Sequence, residues 1–157
     1  MTLEPILMVT HNAALWQRWQ QIDRARWLPA RGQSLQDLQR WGGQARQFVM
    51  LDAALPRLPA WDDAAWSAHL QGLQVLVLSN RPNDAEGRQA LAHGASGYAH
   101  AHTPAESLST ILQSIREGSV WLGRSLMQRL LQDIDSRLPS AAAQDWAQHL
   151  SGREQEV

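Results

Sequence analysis

An open α/β sheet with helices on both faces is the fold class this 157-residue sequence predicts, and three observations predict it. Three apolar runs of four residues, Ile6-Leu-Met-Val9, Phe48-Val-Met-Leu51 and Val75-Leu-Val-Leu78, carry aliphatic side chains on both alternating faces. That is the pattern of strands covered on both sides in a parallel sheet. Helical periodicities separate the runs, so strand and helix alternate about five times along the chain. A hydrophobic content of 44% supports the core of one ordinary domain, with roughly 20 to 40 residues to spare.

In chain order, the first run is followed by Leu15, Trp19 and Ile22 on one helical face. A weaker strand near Arg26 to Ala30 comes next, then Leu35, Leu38 and Trp41 on a second helical face. After the second run, the proline-rich bend Leu55-Pro-Arg-Leu-Pro59 leads to a third helix with Trp66 and Leu70 inward. Beyond the third run, Asn83 or Asp84 is placed to cap a helix running towards His93, which Gly94 stops. Ser96 to Ala99 reads as a short strand. Thr103-Pro-Ala-Glu106 reads as a capping box with proline at the first helical position. It opens a helix striped by Leu108, Ile111, Leu112 and Ile115 that ends at Gly118. A further helix, Arg124 to Ile134, carries Leu126, Leu130 and Ile134 with Met127 and Leu131 beside them, an apolar face wider than one contact requires. Leu138-Pro-Ser-Ala-Ala-Ala143 reads as a linker.

Composition narrows the function classes. A net charge of -1, from 14 basic and 15 acidic residues, gives no electrostatic footprint for nucleic acid. All the basic residues are arginine, so no chemistry that needs an ammonium side chain comes from this chain. The absence of cysteine removes disulfides and thiolate metal sites. Met1 to Pro5 has no leader pattern, and no window approaches the ~18 apolar residues of a membrane span, so a soluble cytoplasmic protein is expected.

In sheets of this type the working site lies at the carboxyl ends of the strands, where the strand order reverses. That places Thr10-His-Asn12, Asp52-Ala-Ala54, Ser79-Asn80 and His100-Ala-His102 around one crevice.

Phe48-Val-Met-Leu-Asp52-Ala-Ala-Leu-Pro56 resembles the third strand and phosphoacceptor loop of response regulator receiver domains. Val75-Leu-Val-Leu-Ser79 is similar to their fourth strand with its switch hydroxyl, and Gly94-Ala-Ser-Gly-Tyr98 to the approach to the fifth strand with its switch aromatic. Ile115-Arg-Glu-Gly118 and Trp121-Leu-Gly-Arg-Ser-Leu126 resemble receivers of the LuxR/NarL class. Leu150-Ser-Gly-Arg-Glu-Gln-Glu-Val157 looks like the opening of the LuxR-type helix-turn-helix domain. The resemblance implies a flavodoxin-like (CheY-like) doubly wound sheet of five parallel strands in the order 2-1-3-4-5, with an extra C-terminal helix. It implies a receiver over 1–120, an extra helix and linker over 121–148, and over 149–157 the start of a truncated helix-turn-helix domain.

The resemblance also implies a chemistry. An aspartate accepts a phosphoryl group from a histidine kinase, aided by Mg²⁺ on two carboxylates after the first strand, a lysine after the fifth and a hydroxyl after the fourth. Asp52 stands at the phosphoacceptor position, with Ser79 and Tyr98 at the switch positions. The acidic pair is replaced by Thr10 and His11, and the lysine by Ala101. A hydroxyl and an imidazole suit Mg²⁺ poorly, so weak or absent metal binding and inefficient phosphorylation are expected. The expected role is that of a non-enzymatic regulator, homodimeric, signalling by dimerisation, by a ligand or by standing permanently in one state, and reaching DNA only through the missing domain. The wide face of Arg124 to Ile134, with the helix from Thr103, is the candidate self-association surface.

Competing readings attach to several of these residues. Ser79 as a loop cap and Tyr98 as a packing residue compete with their switch roles. His11, His100 and His102 meeting near Asp52 would suit Zn or Ni, against solvated loop histidines. Trp121-Leu-Gly-Arg124 is similar to the Trp-x-Thr/Ser-Arg motif by which some LuxR-class receivers bind cyclic di-GMP, with Gly123 departing from it. That makes a nucleotide-binding regulator using Trp121 and Arg124 the alternative function. A small α/β enzyme using Asp52 and the nearby histidines has no glycine-rich phosphate loop or nucleophile elbow behind it.

Overall fold

The computed structural model describes residues 3–123, 126–128 and 130–132. Five parallel strands, β1 (Glu4–Val9), β2 (Trp27–Gly32), β3 (Phe48–Asp52), β4 (Gln74–Ser79) and β5 (Gly97–His100), form one sheet. Its order is β2-β1-β3-β4-β5, the expected topology. Four helices connect them, α1 (Ala13–Trp19), α2 (Gln36–Gly43), α3 (Ala65–Leu70) and α4 (Asp84–Ala92), and α5 (Ala105–Arg116) follows β5.

The three apolar runs become the three central strands because only central strands bury both faces. On one face Ile6, Met8, Met50, Leu76 and Leu78 join Leu15 and Trp19 of α1 and the stripe Leu108, Ile111, Leu112 and Ile115 of α5. The alternate residues Leu7, Val9, Val49, Leu51, Val75 and Val77 are also buried, which by strand periodicity puts them on the opposite face. There α2 meets β1 and α3, with Leu38, Trp41, Trp66 and Leu70 buried. β2 is weak in the sequence because it is an edge strand, where Pro29 costs no ladder hydrogen bond on its open side. Its anchor is Trp27, 1% exposed and edge-on to Phe48 at 5.1 Å.

Several local expectations shift. α1 ends at Trp19, so Ile22 joins the core from the following turn and not from the helix. α2 starts after Leu35, which is only half-buried. β5 begins at Gly97, not Ser96, and runs to His100. The capping box at α5 does not form. Pro104 is the N-cap, with no side-chain cap bond, and the Thr103 hydroxyl instead donates to the His100 carbonyl at 2.6 Å. The turn that ends β5 claims the hydroxyl before the helix can use it. At α4 the expectation holds: Asn83 Oδ1 accepts from the Glu86 N–H at 2.8 Å, and Gly94 follows the helix at φ +105°, a region an L side chain rarely adopts.

Residues 1–123 form one compact unit. In the second unit, residues 126–128 and 130–132 are helical, with Met127 and Leu131 exposed. Arg124, Ile134 and the expected linker and helix-turn-helix opening lie outside the described residues. Among the described residues no helix is long and apolar enough to cross a membrane.

Candidate functional site

From β1 the chain first moves outward to β2 and then returns past β1 to β3, so the crevice between β1 and β3 is the switch point of the sheet. The parallel register sets Val9 beside Leu51, which brings the next residues, Thr10 and Asp52, together at the carboxyl end. Both are buried, Thr10 completely. The Thr10 hydroxyl donates to Asp52 Oδ2 at 2.7 Å, and the same hydroxyl oxygen accepts from the Asn12 N–H at 3.0 Å. Asp52 Oδ1 accepts from the Ala54 N–H at 2.9 Å. Both carboxylate oxygens therefore have donors, as a buried carboxylate requires. The donors come from the chain itself.

His11 is exposed, and its Nε2–H donates to the Gln33 carbonyl at 2.6 Å, away from Asp52. His100 and His102 are also exposed, and His100 Nδ1 accepts from the His102 N–H at 3.0 Å. Among the described residues no group of three or more His, Asp or Glu side chains is placed to hold a metal ion. The reading of these three as solvated loop histidines fits this placement, and the alternative of a metal-holding cluster near Asp52 does not. Magnesium fares no better on donor chemistry. One carboxylate with both oxygens engaged, a hydroxyl committed as its donor and an imidazole facing a carbonyl do not make the set of carboxylate and water oxygens that this ion selects.

Ala101 is fully buried, with its N–H on the Ser79 carbonyl at 2.8 Å. Its carbonyl accepts the indole N–H of Trp19 at 3.1 Å, and Arg18 reaches the neighbouring His102 carbonyl at 3.3 Å. α1 thus pins the loop after β5.

The β4–β5 side is built differently. Ser79 is buried, and its Oγ accepts from the Arg81 N–H at 3.2 Å. Tyr98 points inward at 5% exposure, donates to Glu86 Oε1 at 2.7 Å and accepts from the Asn83 N–H at 3.0 Å. Burial, then the hydrogen bond to Glu86, pushes the phenol pKa up to about 12, against smaller opposing pulls from the Asn83 N–H and the Ser79 hydroxyl. The first turn of α4 is thereby tied to β5. Glu86, Asn83 and Trp19 were not singled out as site residues by sequence reasoning. Only the Asn83-to-Glu86 capping spacing hinted that Glu86 sits on the first turn of α4. Trp121 pairs with Gly97 as an isolated parallel bridge and packs against the core, while Arg124 lies outside the described residues.

No family model matches the sequence. No curated protein matches it either. Solved structures do match the fold. A two-component response regulator of the LuxR family from Aurantimonas sp. SI85-9A1 superposes with a TM-score of 0.68 at 16% identity, over 84% of this chain and 98% of that one. A LuxR family DNA-binding response regulator from Silicibacter pomeroyi gives 0.58 at 18% identity, over 78% of this chain and 99% of that one. The isolated REC domain of RcsB from Salmonella enterica serovar Typhimurium gives 0.60 at 13% identity, over 81% and 98%. The fold is that of response regulator receiver domains. Within that class the structures it is similar to include members of the LuxR family.

Proposed function

We propose that this chain is the regulatory receiver of a two-component response regulator of LuxR/NarL type that controls a DNA-binding domain following it in the full protein. Asp52 occupies the phosphoacceptor position but is not efficiently phosphorylated. The observation that carries this reading is the Thr10 hydroxyl seated on Asp52 Oδ2, where a metal-bridged carboxylate set would otherwise stand. Phosphoryl transfer joins two anionic partners, and without a divalent ion or an ammonium the charge that builds up in the transition state is not neutralised. With Ala101 in place of the ammonium and Thr10 and His11 in place of the acids, transfer slows by orders of magnitude.

What remains points to a domain held in one state. Tyr98 is held inward by Asn83, Glu86 and Ser79. Kinase input is then replaced by self-association or by a ligand. The alternative, a cyclic di-GMP reading, would use Trp121, which lines a cleft beside β5, and Arg124, which lies outside the described residues. Incubation with a small acyl phosphate donor and Mg²⁺, followed by intact mass, tests the main reading. Less than a few per cent phosphorylated protein is expected, whereas stoichiometric acyl phosphate on Asp52 overturns it.

A further inference from the structure

The segment after α5 returns to the free edge of β5 and, among the described residues, pairs with it at one point. Trp121 N–H donates to the Ser96 carbonyl at 3.0 Å, and Tyr98 N–H to the Trp121 carbonyl at 3.1 Å. Trp121 therefore bridges Gly97, and the pairing stops there, since residues 122 and 123 are not in a strand. Along a parallel edge the outward groups recur at every second residue. The next outward acceptor and donor are the Tyr98 carbonyl and the His100 N–H, and neither has a partner among the described residues. A cleft of about 410 Å³ opens at this edge, walled by Trp121, Ile111, Ala99 and the exposed Thr110 of α5.

We propose that this cleft binds a small planar heteroaromatic molecule carrying a hydrogen-bond donor beside an acceptor on one edge. The volume lies within the ~300 to 1,000 Å³ of small-molecule sites, and an apolar lining with a few convergent polar groups is their usual make-up. A backbone C=O and N–H facing out two residues apart match an edge with one donor and one acceptor, and their geometry is fixed by β5 itself. The indole of Trp121, its backbone fastened on both sides, offers a flat face for stacking. Such a ligand would sit against Tyr98, the residue that ties β5 to α4. The binding stands on this geometry alone; only its meaning as an input signal rests on the regulatory reading.

Adenine is a suitable probe, with an amino donor next to a ring acceptor, and N6,N6-dimethyladenine keeps the ring but loses the donor. Titration of the full ¹⁵N-labelled chain should give saturable shifts at the His100 and Trp121 amides, with the dimethyl compound at least tenfold weaker. Thr110→Trp, on an exposed helical position, fills the cleft without touching the core and should abolish the response while preserving the spectrum elsewhere. The proposal is overturned if adenine gives no saturable shift at His100, if both compounds respond equally, or if Thr110→Trp leaves the response intact. It is equally overturned if these amides are silent to adenine and broaden with protein concentration, which would make the face a self-association surface. The acyl phosphate measurement on Asp52 reports separately on the regulatory reading, so either can fail alone.

Discussion

The two sides of the crevice are built in different ways. On the β1–β3 side the positions that would assemble a phosphoryl-transfer site hold Thr10, His11 and, across the crevice, Ala101, and the carboxylate of Asp52 is satisfied by a neighbouring hydroxyl and a backbone N–H. On the β4–β5 side Ser79 and Tyr98 remain, and Tyr98 is tied to α4 by two hydrogen bonds. Under the proposed reading, a crevice without an acidic pair or an ammonium beside a tethered Tyr98 suits a regulator that does not depend on phosphoryl chemistry. The contrast can be broken or sharpened by substitution.

The largest effect is expected from restoring the reagents together. Thr10→Asp, His11→Asp and Ala101→Lys supply the carboxylates and the ammonium that the family reaction uses, and each 1.36 kcal/mol recovered is tenfold in rate. Recovering ~4 kcal/mol of charge stabilisation should raise Mg²⁺-dependent phosphorylation of Asp52 by roughly 1,000-fold over the parent chain. A triple variant that folds, binds Mg²⁺ and still does not react would show that the barrier lies elsewhere in the crevice.

Next in size is Ala101→Lys alone. Ala101 is fully buried beside Trp19, whose indole holds its carbonyl, so a long cationic chain meets occupied space and a dry surround. Overpacking together with desolvation of the ammonium should cost about 2–3 kcal/mol, read from chemical denaturation. A loss within 0.5 kcal/mol would mean that the crevice retains room for the side chain. Thr10→Val is smaller. It removes one of the donors to a buried carboxylate while keeping shape, for an expected ~1–2 kcal/mol. An unchanged stability would show that the Thr10 contact contributes nothing net, and the account of Asp52 as internally satisfied would fail.

These variants follow residues whose legibility in the sequence differed for physical reasons. The central strands were readable because burial on both faces leaves an unbroken apolar run, and Asp52 was readable because a carboxylate closing such a run has few structural uses. β2 was faint because an edge strand tolerates Pro29 and needs only Trp27 deep in the core. Thr103 misled because a capping box is a local pattern, whereas the hydroxyl's partner is set by the turn at His100. The links that define the site, Thr10 to Asp52 and Tyr98 to Glu86, span 42 and 12 residues and exist only through the sheet register and the docking of α4. No periodicity encodes them.

The smallest expected effect is the most specific. Tyr98→Phe keeps the ring and removes the hydroxyl, leaving Glu86 and the Asn83 N–H to half-exposed or exposed surroundings where water replaces it, so about 1 kcal/mol should be lost near neutral pH. The pH dependence carries the diagnosis. Folding raises the phenol from 10.0 to about 12, so the folded state favours the protonated form. That contribution is complete below pH 10 and is lost as pH rises through about 12. The chain has one tyrosine and no lysine, so no other side chain except arginine titrates in this window. Stability of the parent chain should therefore fall between pH 10 and about 12 more steeply than that of Tyr98→Phe, and tyrosinate absorbance should appear with the raised midpoint. Parallel stability curves, or a phenol titrating at its ordinary value, would mean that Tyr98 is not held inward and that the contrast between the β4–β5 and β1–β3 sides fails.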